Sequence, residues 1–345
     1  MKLVKTEDAV GQVLCHDITQ IIPGVVKDAV FRKGHIVTKE DIPVLLSVGK
    51  ENLYIWEKQE GMLHENEAAE ILRQICQGEH MHPSEVKEGK IELIADCEGV
   101  LKINTEKLNA VNNLGEMMIA SRHGNFPVKT GDKIAGTRII PLVIEEEKMQ
   151  KACEVAGKEP IFRILPYQKK KAGIVTTGSE VYYHRIEDKF TPVVIEKLKE
   201  CGVTEVKQIQ CNDDHEMIME AIQTLIEDGS DLIVCTGGMS VDPDDRTPLA
   251  IKNACTEVVT YGAPVLPGAM FMLAYCEKEG RQIPVMGLPG CVMYAKRTIF
   301  DLVLPRIMCD EKLHEKDFRL LGQGGLCLSC PVCTFPNCGF GKGGY

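Results

Sequence analysis

The sequence predicts an α/β protein whose most informative part is a doubly wound, mostly parallel sheet. From about residue 171 to residue 310, short apolar runs of strand length alternate with amphipathic segments of helix length. This alternation is typical of βαβ units. Ligands of such sheets bind beyond the carboxyl ends of the strands. The residues that follow each predicted strand are therefore the candidate site.

The boundaries of these elements follow from turn and capping residues. Strands are predicted over residues 172–176, 203–209, 232–236 and 283–288. Helices are predicted from Thr191, from a capping box formed by Asp213 and Glu216, and over residues 248–254 with Thr247 as the N-cap. A last helix is predicted over residues 294–308.

The stretch 231–248, DLIVCTGGMSVDPDDRTP, joins a buried strand to a helix through two glycines. Gly237 and Gly238 lack a Cβ, so the backbone can turn sharply there and approach a ligand closely. A helix N-terminus after such a turn is suited to holding a phosphate or another anion. The acids Asp242, Asp244 and Asp245 lie in the same loop and would allow a magnesium ion to join that phosphate. A solvated acidic loop is the alternative.

Two further turns that directly follow the carboxyl end of a predicted strand, here called strand exits, also contain glycine. The first is Thr177-Gly178-Ser179-Glu180 and the other is Leu288-Pro289-Gly290. A fold alone does not require glycine at all three exits. Convergence of the exits on one ligand explains the pattern better.

The full pattern Thr-Gly-Gly-x-Ser-x-x-Pro-x-Asp-x-Thr-Pro closely resembles the signature of the molybdenum-cofactor biosynthesis domain. That family binds molybdopterin and includes molybdopterin adenylyltransferases and molybdopterin molybdotransferases. All three exits match it in type and order. The resemblance implies a magnesium-dependent site with Asp245 and Asp188 as functional acids. It also implies these cofactor-binding residues: Thr177, Gly178, Ser179, Glu180, Thr236, Gly237, Gly238, Ser240, Thr247, Pro289 and Gly290.

Two departures from the family pattern leave the reaction open. Asp242 stands where the family commonly has glycine, and Cys291 follows Pro289-Gly290 where a further proline is usual. Cys291 is either a thiol of lowered pKa, acting as a soft ligand or nucleophile, or a small buried thiol. The Asp-Gly-Tyr-Ala motif typical of molybdotransferases is also missing from the early part of the chain.

The resemblance implies a role in maturing, modifying or carrying the molybdenum cofactor. An enzyme would be a molybdotransferase-like transferase that inserts molybdate or transfers an adenylyl group from a nucleotide. The alternative is a non-catalytic carrier, insertion or maturation factor that delivers cofactor to a molybdoenzyme. A pyridine-nucleotide hydrolase is a third class, suggested only by the shared domain. Family members often form oligomers, so a homo-oligomer is expected on that ground.

Composition excludes several other classes of function. The 345 residues carry a formal net charge of −10, which gives no support for binding nucleic acid or an anionic membrane. Residues 1–8 lead into a polar segment without an apolar signal region. Fifteen cysteines without such a signal favour reduced thiols and a cytoplasmic location.

Four segments are predicted along the chain. They are a mixed α/β unit over residues 1–87, a β-rich unit with a linker over 88–166, the molybdopterin-binding α/β domain over 167–312, and a cysteine-rich tail over 313–345.

The tail contains Cys327, Cys330, Cys333 and Cys338 in the spacing C-x2-C-x2-C-x4-C. This spacing is close to that of a [4Fe–4S] site and also admits zinc. Two alternatives remain open. The tail is a flexible, reduced segment, or it hands sulfur or a metal to a cofactor held nearby.

Overall fold

The structure is a computed structural model that describes residues 2–22, 26–55, 60–240, 242 and 245–343. The helices α1 to α10 are, in order, Asp41–Ser47, Glu65–Cys76, Thr105–Asn112, Glu146–Ala156, Ser179–Tyr182, Phe190–Glu200, His215–Glu227, Thr247–Ala254, Ile299–Met308 and Glu315–Arg319. The strands β1 to β19 are Lys2–Lys5, Ile18–Ile22, Val26–Phe31, Asn52–Ile55, Met62–His64, Met81–Pro83, Lys90–Ala95, Gly99–Ile103, Met117–Ser121, Pro127–Val128, Lys133–Ile139, Val143–Glu145, Phe162–Pro166, Lys171–Thr176, Glu205–Gln210, Leu232–Thr236, Glu257–Tyr261, Met272–Lys278 and Arg281–Leu288.

The chain forms two compact units. Unit 1 contains residues 1–96, 103–122 and 130–163, and unit 2 contains residues 97–102, 123–129 and 164–345. The division into four segments made from the sequence stays a prediction. No helix in the described ranges combines the length and the apolar character needed to cross a membrane.

Unit 1 combines small antiparallel sheets with amphipathic helices. Its largest sheet has the strand order β6-β7-β11-β9, and smaller pairs join β1 to β4, β2 to β3 and β5 to β12. Helix α2 buries its apolar side, Ala68, Ala69, Leu72, Ile75 and Cys76. Unit 1 is thus a mixed α/β structure with its own core.

Unit 2 is built on a six-stranded sheet of order β15-β14-β16-β19-β18-β17. Strands β15, β14, β16 and β19 pair in parallel, whereas β18 and β17 add an antiparallel hairpin at the β19 edge. The α/β class predicted from the sequence is confirmed. The parallel strands place their carboxyl ends at one edge of the sheet.

Helices cover both faces of this sheet. Alternate residues of each strand point to opposite faces, so one strand contributes to two cores. Leu232 and Val234 of β16 belong to a core that includes α6 and α9. Ile233 and Cys235 of the same strand belong to a second core that includes α7 and α8. The apolar run of β16 is therefore buried on both faces, as expected for a central parallel strand.

Four predicted helix starts are wrong, and the first is that of α6, which begins at Phe190 rather than at Thr191. Asp214, rather than Asp213, caps α7 by accepting from the Met217 amide at 3.0 Å. Thr247 is the first residue of α8 and makes no capping bond. The helix predicted over residues 294–308 begins only at Ile299, because the Thr298 hydroxyl accepts from the Phe300 amide and forms the N-cap.

Strands β17 and β18 are not predicted by the sequence pattern. Residues 272–276 of β18 read Met-Leu-Ala-Tyr-Cys and are all buried. Met, Leu and Ala favour helices, so neither propensity nor periodicity indicates a strand here. Pairing with β19 overrides the local preference.

Candidate functional site

The three glycine-containing exits lie side by side at one edge of the unit 2 sheet. Thr176, the last residue of β14, is in register with Thr236, the last residue of β16. Thr236 is in turn in register with Leu288, the last residue of β19. The exits therefore begin in one row, at Thr177, Gly237 and Pro289. The structure brings together the residues that the sequence pattern placed at the strand ends.

The Gly237-Gly238 turn packs directly onto two threonines. Both glycines have positive φ, +89° and +56°. A Cβ on Gly237 would lie 2.4 Å from the Thr177 carbonyl oxygen, and one on Gly238 would lie 2.6 Å from Thr247 Oγ1. Glycine is therefore required at both positions for two reasons, the backbone conformation and the close approach of neighbouring atoms.

Two carboxylates accept hydrogen bonds from backbone amides within the exits. Asp245 Oδ2 accepts from the Ser240 amide at 2.9 Å, and Asp213 Oδ2 accepts from the Ser179 amide at 2.8 Å. From the sequence Asp213 is predicted only as a helix cap, and its place in the site is not predicted. Its one signal is its position four residues after Ile209, the predicted end of a parallel strand.

Asp188 has a structural role at the start of α6. Its Oδ1 accepts from the amides of Phe190 and Thr191, both at 3.0 Å, and its Oδ2 accepts from Gln208 Nε2 at 3.0 Å. Partial burial favours the neutral acid, but hydrogen bonds from Thr191, Phe190 and Gln208 outweigh it and lower the pKa of Asp188. Both carboxylate oxygens are engaged within the protein.

The Thr236 hydroxyl is a buried polar atom that makes no hydrogen bond to the described residues. Thr236 is 1% exposed and ends β16 in the middle of the row. A buried polar group without a partner costs stability and calls for an explanation. A hydrogen-bonding ligand at the strand ends would supply one.

Tyr261, on β17, lies next to the site and is not predicted from the sequence. Its hydroxyl donates to the Met239 carbonyl oxygen at 3.3 Å, inside the loop that follows β16. Partial burial and the negative charge of Asp245 both raise the pKa of Tyr261. Because β17 itself is not predicted, no signal in the sequence places this side chain at the site.

The remaining predicted site residues differ in burial and position. Glu180 is exposed in α5, Pro289 is buried, and Gly290 begins a 3-10 helix over Gly290–Met293. The lowered pKa considered for Cys291 is wrong, because partial burial raises the pKa of this thiol. Asp244 lies outside the described residues, as do Val241 and Pro243.

The four tail cysteines line one cavity within unit 2. In the described ranges, no group of three or more His, Cys, Asp or Glu side chains is arranged to hold a metal ion. Zinc or an iron–sulfur cluster at these cysteines stays a prediction.

The fold and the row of strand exits define unit 2 as an α/β domain of the type that binds ligands at the carboxyl ends of parallel strands. Residues 173–308 match the family described as "Probable molybdopterin binding domain". This match lies within unit 2 and covers less than half of the chain. Residues 3–57 match a second family, described as "Domain of unknown function (DUF8806)".

Individual relatives match only part of this chain. A CinA-like protein of Mycobacterium sp. (strain MCS) is 35% identical over 85 residues, which are 25% of this chain and 20% of the relative. A CinA-like protein of Mycobacterium avium is 34% identical over 95 residues, 28% of this chain and 22% of the relative. The chain thus spans about a fifth of the length of the curated relatives it matches.

Solved structures with similarity to this chain include the tungsten cofactor synthesizing protein MoaB from Pyrococcus furiosus. It is 23% identical, with a TM-score of 0.32, covering 36% of this chain and 84% of MoaB. The protein CinA from Thermoplasma acidophilum is 15% identical, with a TM-score of 0.33, covering 41% of this chain and 98% of CinA.

Proposed function

We propose that unit 2 binds molybdopterin at the row of strand exits and that the chain acts in molybdenum-cofactor biosynthesis as a magnesium-dependent transferase. The observation that carries the proposal is the family match over residues 173–308. The geometry supports it, since the exits after Thr176, Thr236 and Leu288 start from residues in register across three parallel strands.

Backbone amides and hydroxyls at these exits would hold the pterin phosphate. The Gly237-Gly238 turn brings the main chain to the sheet edge without side chains of its own, so a phosphate can approach its amides. Ser179 and Ser240 would donate hydroxyl hydrogen bonds to phosphate or pterin oxygens. Thr236 would gain the partner that its buried hydroxyl lacks among the described residues.

The donor set at the exits suits magnesium. Magnesium is commonly bound by one or two carboxylates together with substrate phosphates and waters, so a cage of three protein ligands is not needed. Asp245 and Asp213 each use one carboxylate oxygen to fix a site backbone amide. The other oxygen of Asp245 would bind the ion, whose charge would neutralise the group being transferred.

Turnover with a charge-removing variant tests this function. Purified protein would be given molybdopterin and magnesium, with either ATP or molybdate, and the products would be identified by mass spectrometry. Asp245→Asn keeps an oxygen that can accept from the Ser240 amide but removes the charge. We expect transfer by the wild type, a loss of at least about 100-fold in Asp245→Asn, and no loss in Glu216→Gln, an exposed control on α7. A variant as active as the wild type would refute the role of Asp245.

A specific observation supports the alternative of a non-catalytic carrier. Both oxygens of Asp188, the second predicted acid, accept hydrogen bonds from Phe190, Thr191 and Gln208, so this carboxylate already has a structural role at the start of α6. A carrier would retain molybdopterin without consuming nucleotide or molybdate and would release it to a molybdoenzyme. Tight binding without product in the same assay would identify this function.

A further inference from the structure

The cysteine-rich tail encloses a second candidate site within unit 2. A cavity of about 550 Å³ is lined by all four tail cysteines, Cys327, Cys330, Cys333 and Cys338. None of the four takes part in a disulfide. Cys330 and Cys333 are exposed, whereas Cys327 and Cys338 are half-buried. The four cysteines therefore border a common space that solutes can reach.

Backbone hydrogen bonds fix both ends of the segment that contains these cysteines. The Cys327 amide donates to the Leu266 carbonyl oxygen at 2.8 Å, and the Gly341 amide donates to the Gly324 carbonyl oxygen at 2.9 Å. A Cβ on Gly325 would lie 2.3 Å from the Pro264 carbonyl oxygen. The glycines of the tail thus allow its backbone to pack closely, and the cysteines sit in a loop with anchored ends.

Aromatic side chains anchor the same loop from inside. Phe340 is 4% exposed and belongs to the core of unit 2, with Phe335 packed against it. The Arg297 guanidinium carbon lies 5.3 Å from the centre of the Phe335 ring. Phe335, Phe340 and Arg297 all line the cavity, so its wall is partly apolar and partly cationic.

The spacing of the first three cysteines, C-x2-C-x2-C, is that of segments that bind a [4Fe–4S] cluster. Four sulfurs at about 2.3 Å from one zinc ion lie within about 4 Å of one another. No group of three or more potential ligands in the described part of the chain is arranged to hold one ion, although all four cysteines line one cavity. A cluster places its ligand sulfurs farther apart, because each binds a different iron atom.

The charge of the residues that line the cavity also bears on which group it would hold. A [4Fe–4S]2+ cluster with four thiolate ligands has a net charge of −2. Lys296 and Arg297 line the cavity, and Lys296 Nζ donates to the Pro331 carbonyl oxygen at 2.7 Å, between Cys330 and Cys333. Lys296 therefore lies where a cluster would add negative charge, whereas Arg297 already pairs with Glu200 at 2.7 Å and with Asp301 at 2.8 Å.

We propose that Cys327, Cys330, Cys333 and Cys338 bind one [4Fe–4S] cluster in this cavity. When the cluster is supplied as a complex with four small thiolates, each cysteine thiol replaces one small thiolate on iron. Four iron–sulfur bonds to protein form, four to the small ligands break, and the four cysteine protons leave with the departing thiols. The oxidation state of iron does not change. The site is independent of molybdopterin binding.

Anaerobic ligand exchange with a preformed, small-thiolate [4Fe–4S]2+ complex tests the site on the full-length protein. After desalting, we expect about four iron and four sulfide per chain, with visible charge-transfer absorption. The double variant Cys330→Ser/Cys333→Ser should lose both signals, because it removes two ligands. Cys153→Ser is the matched control, since Cys153 is an exposed cysteine in unit 1, and it should load like the wild type.

Alkylation provides a readout that does not depend on variants. In the loaded wild type, the four tail cysteines should be protected from iodoacetamide while Cys153 remains reactive. Failure of the wild type to take up iron and sulfide would overturn the proposal. It would also be overturned by full loading of the double variant, or by uptake of one zinc per chain in place of the cluster when both are offered.

Discussion

The hydroxyls of Thr177 and Thr247 lie 3.1 Å apart, both buried. This contact joins the exit of β14 to the first turn of α8. The Thr177 hydroxyl also lies 3.1 Å from the carbonyl oxygen of Thr236, at the end of β16. The two threonines therefore fix the Gly237-Gly238 turn in place, and a preorganised turn reduces the cost of ordering on ligand binding.

The first prediction concerns this turn. Gly238→Ala adds a Cβ at positive φ that lies 2.6 Å from Thr247 Oγ1. We expect the variant to lower the free energy of unfolding by about 1–2 kcal/mol for the backbone conformation and by about a further 1–3 kcal/mol for the overlap. Urea denaturation of the full-length protein measures this.

Gly229→Ala is the matched control for Gly238→Ala. Gly229 has a φ of +87° and nothing within 4 Å of an added Cβ. Gly229→Ala should therefore lose only the part of the free energy of unfolding that comes from the backbone conformation. Equal losses in the two variants would contradict the packing of Gly238 on Thr247.

A second prediction separates the capping and metal-binding roles of Asp188. Asp188→Ala removes the acceptor of the Phe190 and Thr191 amides and should destabilise the protein by about 1 kcal/mol. Asp188→Ser retains a capping oxygen without a charge, so stability should recover. The magnesium dependence of molybdopterin binding should be unchanged in both variants. A loss of magnesium dependence in Asp188→Ser would instead show that the carboxylate binds the ion.

The third prediction concerns a buried ion pair between α6 and α9 of unit 2. Lys197 Nζ lies 2.7 Å from Asp301 Oδ1, with side chains 9% and 4% exposed. Asp301→Asn leaves the Lys197 charge without its buried carboxylate and should cost about 3–5 kcal/mol in urea denaturation. Glu205→Gln breaks an exposed pair with Lys171 and should cost less than about 1 kcal/mol. If both variants lose a similar free energy of unfolding, Asp301 contributes no more to stability than an exposed carboxylate does.

The fourth prediction is a loss of stability in acid. Burial raises the pKa of Glu311, but hydrogen bonds from Arg306 and Lys102 outweigh it, so the folded-state pKa is lowered. A lowered folded-state pKa gives stability that is present above the unfolded value of about 4.3 and is lost as the pH falls through the folded value. The free energy of unfolding should therefore fall below about pH 4. Glu311→Gln should flatten this dependence, and an unchanged slope would exclude Glu311 as its source.

Much of the parallel half of unit 2 could be predicted from the sequence. The segments that form β14, β16 and the end of β19 are apolar and are followed by turns that contain glycine. Their composition and their turn residues therefore agree with the tertiary structure. The antiparallel hairpin of β17 and β18 could not be predicted in this way. Its second strand is rich in helix-forming residues, and pairing with β17 and β19 determines its conformation.

The candidate site, like the fold, could be predicted only in part from the sequence. Gly237 and Gly238 were predicted because the backbone conformation they allow is a local property. Asp213 and Tyr261 were missed because they reach the site through long-range contacts, to Ser179 across 34 residues and to Met239 across 22 residues. The shift of the α7 cap from Asp213 to Asp214 illustrates this, since the Asp213 carboxylate is engaged by the Ser179 amide instead.

The central claim is tested most directly by equilibrium binding of molybdopterin to the wild type and to Thr236→Val, with stability measured in parallel. The valine removes a buried hydroxyl that has no partner among the described residues, so the ligand-free protein should be as stable or more stable by about 1 kcal/mol. Binding should weaken about tenfold, because the ligand loses one hydrogen bond. Saturable binding that weakens in the variant is the predicted result. No binding by the wild type, or equal binding by both proteins, would contradict a molybdopterin site at these strand ends.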